Sequence, residues 1–184
     1  MNASHNFKKT LHALLQLDKP EMILKGRVDG EMFDYVFESL ANLTSKRSPE
    51  VKVTIDSQGG STFFGFLIYD ALRMYKGNKI GIGVAKTHST ASWILQACND
   101  RRLTEHAKLL IHNPSRSDVC LDQIRNAKKL AKLRKELEEC EEKIVNTYVK
   151  TTGKSARQIK ARMLKNEDFN AQESLEFGLI DEIV

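Results

Sequence analysis

Segments with the pattern of a β-strand alternate with segments of helical periodicity along this chain, and this alternation constrains the fold more than any other feature. Residues 51–56 alternate β-branched apolar and polar side chains, as a half-buried strand does. Residues 62–75 follow with helical spacing, and residues 80–85 again have the pattern of a strand. This order predicts an α/β fold with a largely parallel sheet, whose functional sites lie at the carboxyl ends of its strands.

The remaining elements follow from the same patterns. Further strands are predicted at residues 22–26, 101–103, 108–111 and 179–184, and further helices at residues 7–17, 30–43, 88–98, 155–164 and at the start of the segment 171–184. The longest helical pattern covers residues 121–150, with a basic first half and an acidic second half. That polarity indicates either a solvated face with i,i+4 pairs such as Lys132/Glu136 or two copies of the helix paired antiparallel.

Length and composition limit the classes of protein that fit. The 184 residues suit one domain, and the excess of 29 Lys and Arg over 24 Asp and Glu is too small and too dispersed to predict a nucleic-acid partner. The three cysteines have no metal-site spacing, so neither a metal nor a structural disulfide is expected. The chain contains no apolar run of the roughly 20 residues that cross a bilayer and no signal peptide, which predicts a cytoplasmic protein without membrane contact.

Two glycine-containing motifs match cofactor-binding loops only in part. Residues 152–155 (TGKS) resemble the end of a phosphate-binding loop but lie between helices, and residues 58–60 (QGG) lack the glycine spacing of a dinucleotide site. No cofactor is predicted. The pair Gly59 and Gly60 directly follows a strand, where it serves either as a plain turn or as a close approach to main-chain N–H groups.

Two serines three residues apart, Ser89 and Ser92, raise the question of a nucleophile. Ser89 opens the helix predicted at 88–98, where the first N–H groups lack helical partners, so that the amide of Thr90 could bind an oxyanion. An N-cap is the ordinary role for such a serine. His88 is adjacent to Ser89 and should point away from it, whereas His112 ends an apolar strand and is the better candidate for a general base.

These residues, in this order, resemble the proteolytic subunit of the caseinolytic (Clp) protease family. The resembling segments are Met22-Ile-Leu-Lys-Gly26, Ile55-Asp-Ser-Gln-Gly-Gly60, Gly65-Phe-Leu-Ile-Tyr-Asp70, His88-Ser-Thr-Ala-Ser92, Leu109-Leu-Ile-His-Asn-Pro114 and residues 171–181. The resemblance implies the ClpP/crotonase-like α/β fold of repeated β-β-α units in residues 21–184, with a protruding handle helix at 121–152. Residues 1–20 then precede this domain as an N-terminal segment, which is a candidate axial or docking element.

The resemblance also implies a set of site residues. Matching the family without gaps places its nucleophile on Ser89, its general base on His112, and its oxyanion hole on Gly60 and the amide of Thr90. The position of its aspartate is occupied by Asn166, with Asp168 as the alternative third member of the triad. Asparagine can orient a histidine but cannot stabilise an imidazolium by charge, which predicts a slower enzyme. Substrate-binding positions implied by the groove are Ser61, Thr62 and Asn113.

Three functions remain open from the sequence. The first is a serine endopeptidase that acts on peptides or unfolded proteins inside a homo-oligomer of stacked heptameric rings, with an AAA+ unfoldase as its expected partner. The second is a catalytically weak or inactive ring subunit of the same fold. The third, an acyl-CoA enzyme of the related crotonase-like fold, would not need Ser89 or His112, and the presence of both argues against it.

Overall fold

The computed structural model describes residues 20–184. Its strands are β1 (Glu21–Val28), β2 (Val51–Gly60), β3 (Lys79–His88), β4 (Asp100–Leu103), β5 (Lys108–Leu110) and β6 (Glu182–Ile183). Its helices are α1 (Gly30–Ser45), α2 (Thr62–Met74), α3 (Thr90–Leu95), α4 (Leu121–Arg125), α5 (Ala127–Thr152), α6 (Ala156–Lys165) and α7 (Ala171–Phe177). The helix predicted at 7–17 and nearly all of the segment 1–20 lie outside the described residues.

The six strands form one sheet in which every pairing between strands is parallel, as the alternation predicts. The order is β1-β2-β3-β4-β6, and β5 also pairs with β3. Residues 80–83 of β3 pair with β4, whereas residues 86–88 pair with β5. The ends of β3 and β5 are therefore neighbours, and the chain segments that leave them start side by side.

Strand β2 is longer than the sequence pattern indicates. The strand end predicted at residue 56 is wrong, because Gly59 and Gly60 continue the ladder by pairing with Arg27 and Val28. Between the pairs Lys25–Asp56 and Arg27–Gly59, β2 has two residues and β1 has only Gly26, whose φ is 94°, so the register shift accommodates one extra residue in β2. The glycine pair is thus part of the sheet edge rather than a turn beyond it.

The handle helix is shorter than predicted. The continuous pattern over 121–150 is interrupted at Asn126, which has the extended conformation φ = −89° and ψ = 110°. Its Oδ1 accepts hydrogen bonds from the backbone N–H groups of Lys128 (3.1 Å) and Lys129 (3.0 Å), so it caps α5. The apolar residues have helical spacing on both sides of Asn126, because α4 and α5 are both helices. Periodicity alone therefore does not reveal the interruption between them.

Helix α5 is anchored by its second half. Val145 and Tyr148 are buried in the core, whereas Leu130 in the first half is 42% exposed. Exposed i,i+4 pairs run along the helix at Lys132–Glu136 (3.9 Å), Arg134–Glu138 (3.2 Å) and Lys135–Glu139 (3.8 Å). The solvated-face interpretation of the charge pattern therefore holds within one chain, and the pairing of two copies stays a prediction.

Three further observations concern residues 20–184 as a whole. None of their helices has the length and apolar composition to cross a membrane. No three side chains of His, Cys, Asp or Glu in this range cluster closely enough to hold a metal ion. All three cysteines are free thiols, and Cys98 is buried.

Candidate active site

The ends of β2 and β3 and the loop after β5 meet the handle helix at a small pocket. It is lined by Gly60, Thr62, Ser89, Thr90, Trp93, His112, Pro114, Ser115, Ile144 and Tyr148. Of the predicted site residues, the pocket brings together Gly60, Thr62, Ser89, Thr90 and His112. The other four, Ser61, Asn113, Asn166 and Asp168, are not part of its lining.

Ser89 has a strained backbone. Its angles, φ = 56° and ψ = −126°, are rarely adopted by a residue with a side chain, and such strain concentrates at functional sites. The backbone N–H of Ser89 donates to the carbonyl of Leu110 (2.8 Å), which ties the start of α3 to the end of β5. The Ser89 side chain makes no capping hydrogen bond to α3. The N-cap role that the sequence allowed for this hydroxyl is therefore wrong, and within residues 20–184 the hydroxyl of Ser89, which lines the pocket, makes no hydrogen bond.

Gly59 is required by the packing against Ser89. A Cβ atom at residue 59 would lie 2.7 Å from the Cβ of Ser89 and 2.8 Å from the carbonyl oxygen of His88. The φ angle of 89° at Gly59 also disfavours any side chain. Strands β2 and β3 can approach this closely only because this position is glycine.

Gly60 and Thr90 are linked to each other across the pocket. The hydroxyl of Thr90 donates to the carbonyl of Gly60 at 3.2 Å. Thr90 is the first residue of α3, a position whose N–H has no partner inside the helix and at which the helix dipole favours negative charge. Gly60 and Thr90 therefore lie next to each other in the lining of the pocket that also contains Ser89.

The ring of His112 is held by the carbonyl next to it. Nδ1 lies 2.6 Å from the backbone oxygen of Asn113, and because a carbonyl can only accept, Nδ1–H is the donor. In the neutral ring this leaves the lone pair on Nε2, the tautomer that a general base needs. Among residues 20–184, no hydrogen bond joins His112 to the hydroxyl of Ser89. The buried Oδ1 atom of Asn113 has no partner in the same range.

Asn166 caps the end of α6 instead of contacting His112. It has the left-handed conformation φ = 52° and ψ = 44°, and its side chain is exposed. The neighbouring Phe169 pairs antiparallel with Leu109. Among residues 20–184 this bridge is a single isolated pair, so it brings the loop that begins at Asn166 next to β5, while Asn166 itself serves as a helix cap.

Asp168 lies beside the other histidine. Its Oδ1 is 3.5 Å from Nε2 of His88. His88 is the last residue of β3 and pairs with Leu110 of β5. Burial lowers the pKa of the His88 imidazole, and this effect outweighs the opposing influence of Asp168. At neutral pH His88 is accordingly uncharged. The sequence prediction that His88 points away from Ser89 agrees with its position outside the pocket lining.

Sequence reasoning missed the polar role of Ser92 and Tyr148. Ser92 is completely buried, and its hydroxyl lies 2.8 Å from that of Tyr148 on α5. Tyr148 lines the pocket together with Ser89 and His112. Ser92 and Tyr148 are 56 positions apart, and the local sequence around either residue does not predict the contact.

A groove continues from the pocket between α2 and α5. Its wall includes Thr62 and Pro114 from the pocket, followed by Phe63, Phe66, Leu137 and Cys140. Phe63 is 64% exposed, so this groove offers apolar surface to a ligand that reaches the pocket. An extended chain laid in the groove would pass Ser89 at one end.

Taken together, the fold and the site define an α/β protein with a serine and a histidine at the carboxyl edge of a parallel sheet. The family model described as "Clp protease" matches residues 4–184. The chain belongs to the Clp protease family, and the resemblance seen in the sequence is confirmed.

Curated relatives carry consistent names. The "ATP-dependent Clp protease proteolytic subunit 2" of Treponema denticola is 30% identical over 177 residues, which cover 93% of this chain and 86% of the relative. The "ATP-dependent Clp protease proteolytic subunit 1" of Chlamydia muridarum is 31% identical over 144 residues (77% of this chain, 73% of the relative). The protein with that same name in Protochlamydia amoebophila is 28% identical over 177 residues (94% and 83%). The family is one of peptidase subunits, and this chain spans most of each relative.

Proposed function

We propose that this protein is a Clp-type serine endopeptidase subunit that hydrolyses peptide bonds in peptides or unfolded proteins. The observation that carries the proposal is the single pocket lined by Ser89, His112, Gly60 and Thr90. The four residues fill three chemical roles of acyl transfer: one nucleophile, one general base and two oxyanion donors. They come from the ends of three strands, β2, β3 and β5, that the fold brings together.

In the proposed reaction the Oγ atom of Ser89 attacks the peptide carbonyl while Nε2 of His112 accepts its proton. The developing oxyanion is stabilised by the main-chain N–H groups of Gly60 and Thr90, each worth about 3 kcal/mol in comparable sites. His112 then donates the proton to the leaving amine. In the second half of the reaction His112 accepts a proton from water, which attacks the acyl-enzyme, and returns the proton to Oγ of Ser89 as the carboxylic acid is released.

The third member of the triad is proposed as Asn166, with Asp168 as the alternative. Because Nδ1 of His112 now donates to the Asn113 carbonyl, either residue would need this hydrogen bond to open before it could orient the imidazole. The Leu109–Phe169 bridge brings the loop that begins at Asn166 next to β5, and the contact of Asp168 with His88 weighs against Asp168.

The substrate is proposed to lie as an extended chain in the groove between α2 and α5. Thr62 lines both the groove and the pocket, which supports its predicted contact with substrate. The N–H of Ser61 is engaged with the carbonyl of Val28 (2.8 Å), so its contribution would come from its carbonyl or side chain. The buried Oδ1 of Asn113 is a hydrogen-bond acceptor that a peptide N–H could use.

Labelling with a serine-directed fluorophosphonate tests this function. We expect one adduct, mapped by mass spectrometry to Ser89, which is absent in Ser89→Ala. Ser45→Ala is the matched control, because Ser45 is exposed on α1 and its hydroxyl contacts only the local carbonyl of Asn42. Labelling at another serine, or hydrolysis that persists in Ser89→Ala, would contradict the proposal.

A second candidate is a ring subunit with weak or no activity. It is favoured by one observation, the absence among residues 20–184 of a hydrogen bond between His112 and the Ser89 hydroxyl. A protein that assembles fully but neither labels nor hydrolyses peptides would establish this alternative.

We further propose a homo-oligomer of stacked rings in the cytoplasm, with an AAA+ unfoldase as partner. The names of the relatives describe those proteins as ATP-dependent. Exposed Leu121, Ile124 and Leu130 on α4 and the start of α5 provide apolar surface for a second copy. Light scattering after size exclusion, at low and at high salt, measures the assembly, and a monomer at low salt would contradict it.

A further inference from the structure

A buried hydroxyl pair, Ser92 and Tyr148, links the elements that carry the two reactive residues. The Oγ atom of Ser92 lies 2.6 Å from the carbonyl oxygen of Ser89 and 2.9 Å from that of Leu110. It also lies 2.8 Å from the hydroxyl of Tyr148. One atom therefore contacts the nucleophile's own backbone, the strand that leads to His112, and the handle helix.

The direction of these hydrogen bonds follows from counting protons. Carbonyl oxygens only accept, so the single hydroxyl proton of Ser92 is directed to the carbonyls of Ser89 and Leu110. The hydroxyl of Tyr148 must then donate to Ser92. Burial raises the pKa of the Tyr148 hydroxyl above its usual value, which keeps this donor protonated at neutral pH.

The carbonyl of Leu110 is the common point of this arrangement. It accepts from the N–H of Ser89 (2.8 Å) as well as from the Ser92 hydroxyl (2.9 Å). Leu110 is the last residue of β5, two positions before His112. The separation between the start of α3 and the end of β5 is thus fixed by two hydrogen bonds to one oxygen atom.

Water cannot take over this role. Ser92 is completely buried and Tyr148 is 1% exposed, so a missing hydroxyl would leave its partners without a substitute. Elsewhere in residues 20–184, the start of α3 and the end of β5 are joined only by the Ser89–Leu110 hydrogen bond and the strand pairing of residues 86–88.

We propose that Ser92 and Tyr148 are positioning residues that hold Ser89 and His112 at the separation needed for proton transfer. This inference rests on the proposed function. A displacement of about 1 Å between reacting groups can lower a rate by about 100-fold, whereas the groove that binds substrate lies on other residues. Loss of either hydroxyl should therefore lower kcat and leave KM nearly unchanged.

The test compares Tyr148→Phe and Ser92→Ala with the parent protein in hydrolysis of a fluorogenic peptide. We expect kcat to fall by about 10-fold to 100-fold, KM to change by less than about twofold, and fluorophosphonate labelling of Ser89 to slow in parallel. The double variant should resemble the single variants, because the two hydroxyls act as one unit.

Tyr75→Phe is the matched control. Its hydroxyl is also nearly buried and donates to a backbone carbonyl, that of Pro49, at 2.5 Å, but it lies outside the pocket. It should leave kcat unchanged. Tyr148→Phe retains the ring and its packing, so this variant tests the hydroxyl even where Ser92→Ala impairs folding.

Three results would overturn the inference. If the parent protein is labelled at Ser89 but Tyr148→Phe has the same kcat as the Tyr75→Phe control, only the positioning role is overturned. A rise in KM with unchanged kcat would do the same, since it would place the pair in substrate binding. A parent protein without labelling at Ser89 would overturn the proposed function, and this inference with it.

Discussion

Leu109 and Phe169 exchange two backbone hydrogen bonds, of 2.7 and 3.1 Å, and this bridge joins the segment after α6 to the strand that leads to His112. The bridge brings the α6–α7 loop, which begins at Asn166, next to the strand that leads to His112. Asn166 is the residue of this loop that we propose to orient the imidazole.

Replacing Asn166 tests its proposed role in the triad. Asn166→Asp introduces a charge that stabilises the imidazolium, so we expect kcat/KM for a peptide to rise by about tenfold or more. Asn166→Ala should lower it only if the asparagine orients His112. Asp168→Asn is the companion variant. If Asn166→Asp raises neither the rate of hydrolysis nor the rate of Ser89 labelling, the assignment of Asn166 is contradicted.

The two histidines should respond differently to the same substitution. His112→Asn removes the general base, and we expect the rate of Ser89 labelling to fall by about 1,000-fold or more. His88→Asn should change it by less than about threefold, because Nε2 of His88 has no hydrogen-bond partner among the described residues and lies outside the pocket. Equal losses in the two variants would show that His88 takes part in the reaction.

Gly59→Ala should damage both stability and activity. The added methyl group meets the Cβ of Ser89 at 2.7 Å, and the φ angle of 89° adds strain, so we expect the free energy of unfolding to fall by about 2–4 kcal/mol. Gly153→Ala is the control, with a similar φ of 69° but no atom within 4 Å of the new Cβ. It should cost about 1 kcal/mol in urea denaturation, and equal losses would show that strain alone matters.

Asp181 should contribute stability that depends on pH. Burial raises the pKa of its carboxyl group, but hydrogen bonds from the side chain and backbone of Arg101 outweigh this and hold the pKa below its usual value. Because the pKa is lower in the folded state, the stabilisation is complete above the unfolded value of about 3.9 and is lost as the pH falls through the folded pKa.

The measurement is urea denaturation of Asp181→Asn at several pH values. We expect a loss of about 1 kcal/mol at pH 7, since the carboxyl is half exposed, and a smaller loss below about pH 4. Asp118→Asn, which removes an exposed partner of Arg116, should leave the midpoint unchanged. A loss for Asp181→Asn that does not vary with pH would contradict the charge-based explanation.

Local patterns predicted most of the fold and failed where pairing between distant residues or a single hydrogen bond decides the structure. Strand β2 continues to Gly60 because Arg27 and Val28 are there to pair with it, and no local pattern contains that information. The interruption at Asn126 depends on one side-chain oxygen that captures two N–H groups, while the apolar spacing is the same on both sides. Asn113 as the partner of His112 likewise depends on one loop conformation.

The α/β class, the family and the serine and histidine of the site could be predicted from the sequence alone, because periodicity and short motifs are properties of neighbouring positions. The shared pocket of Ser89, His112, Gly60 and Thr90 follows from the tertiary fold, since the ends of β2, β3 and β5 meet through sheet pairing. The tertiary structure also revealed the contact between Ser92 and Tyr148, which depends on where α5 crosses the start of α3. Hydrogen bonds between positions 56 residues apart follow from packing, which no local pattern encodes.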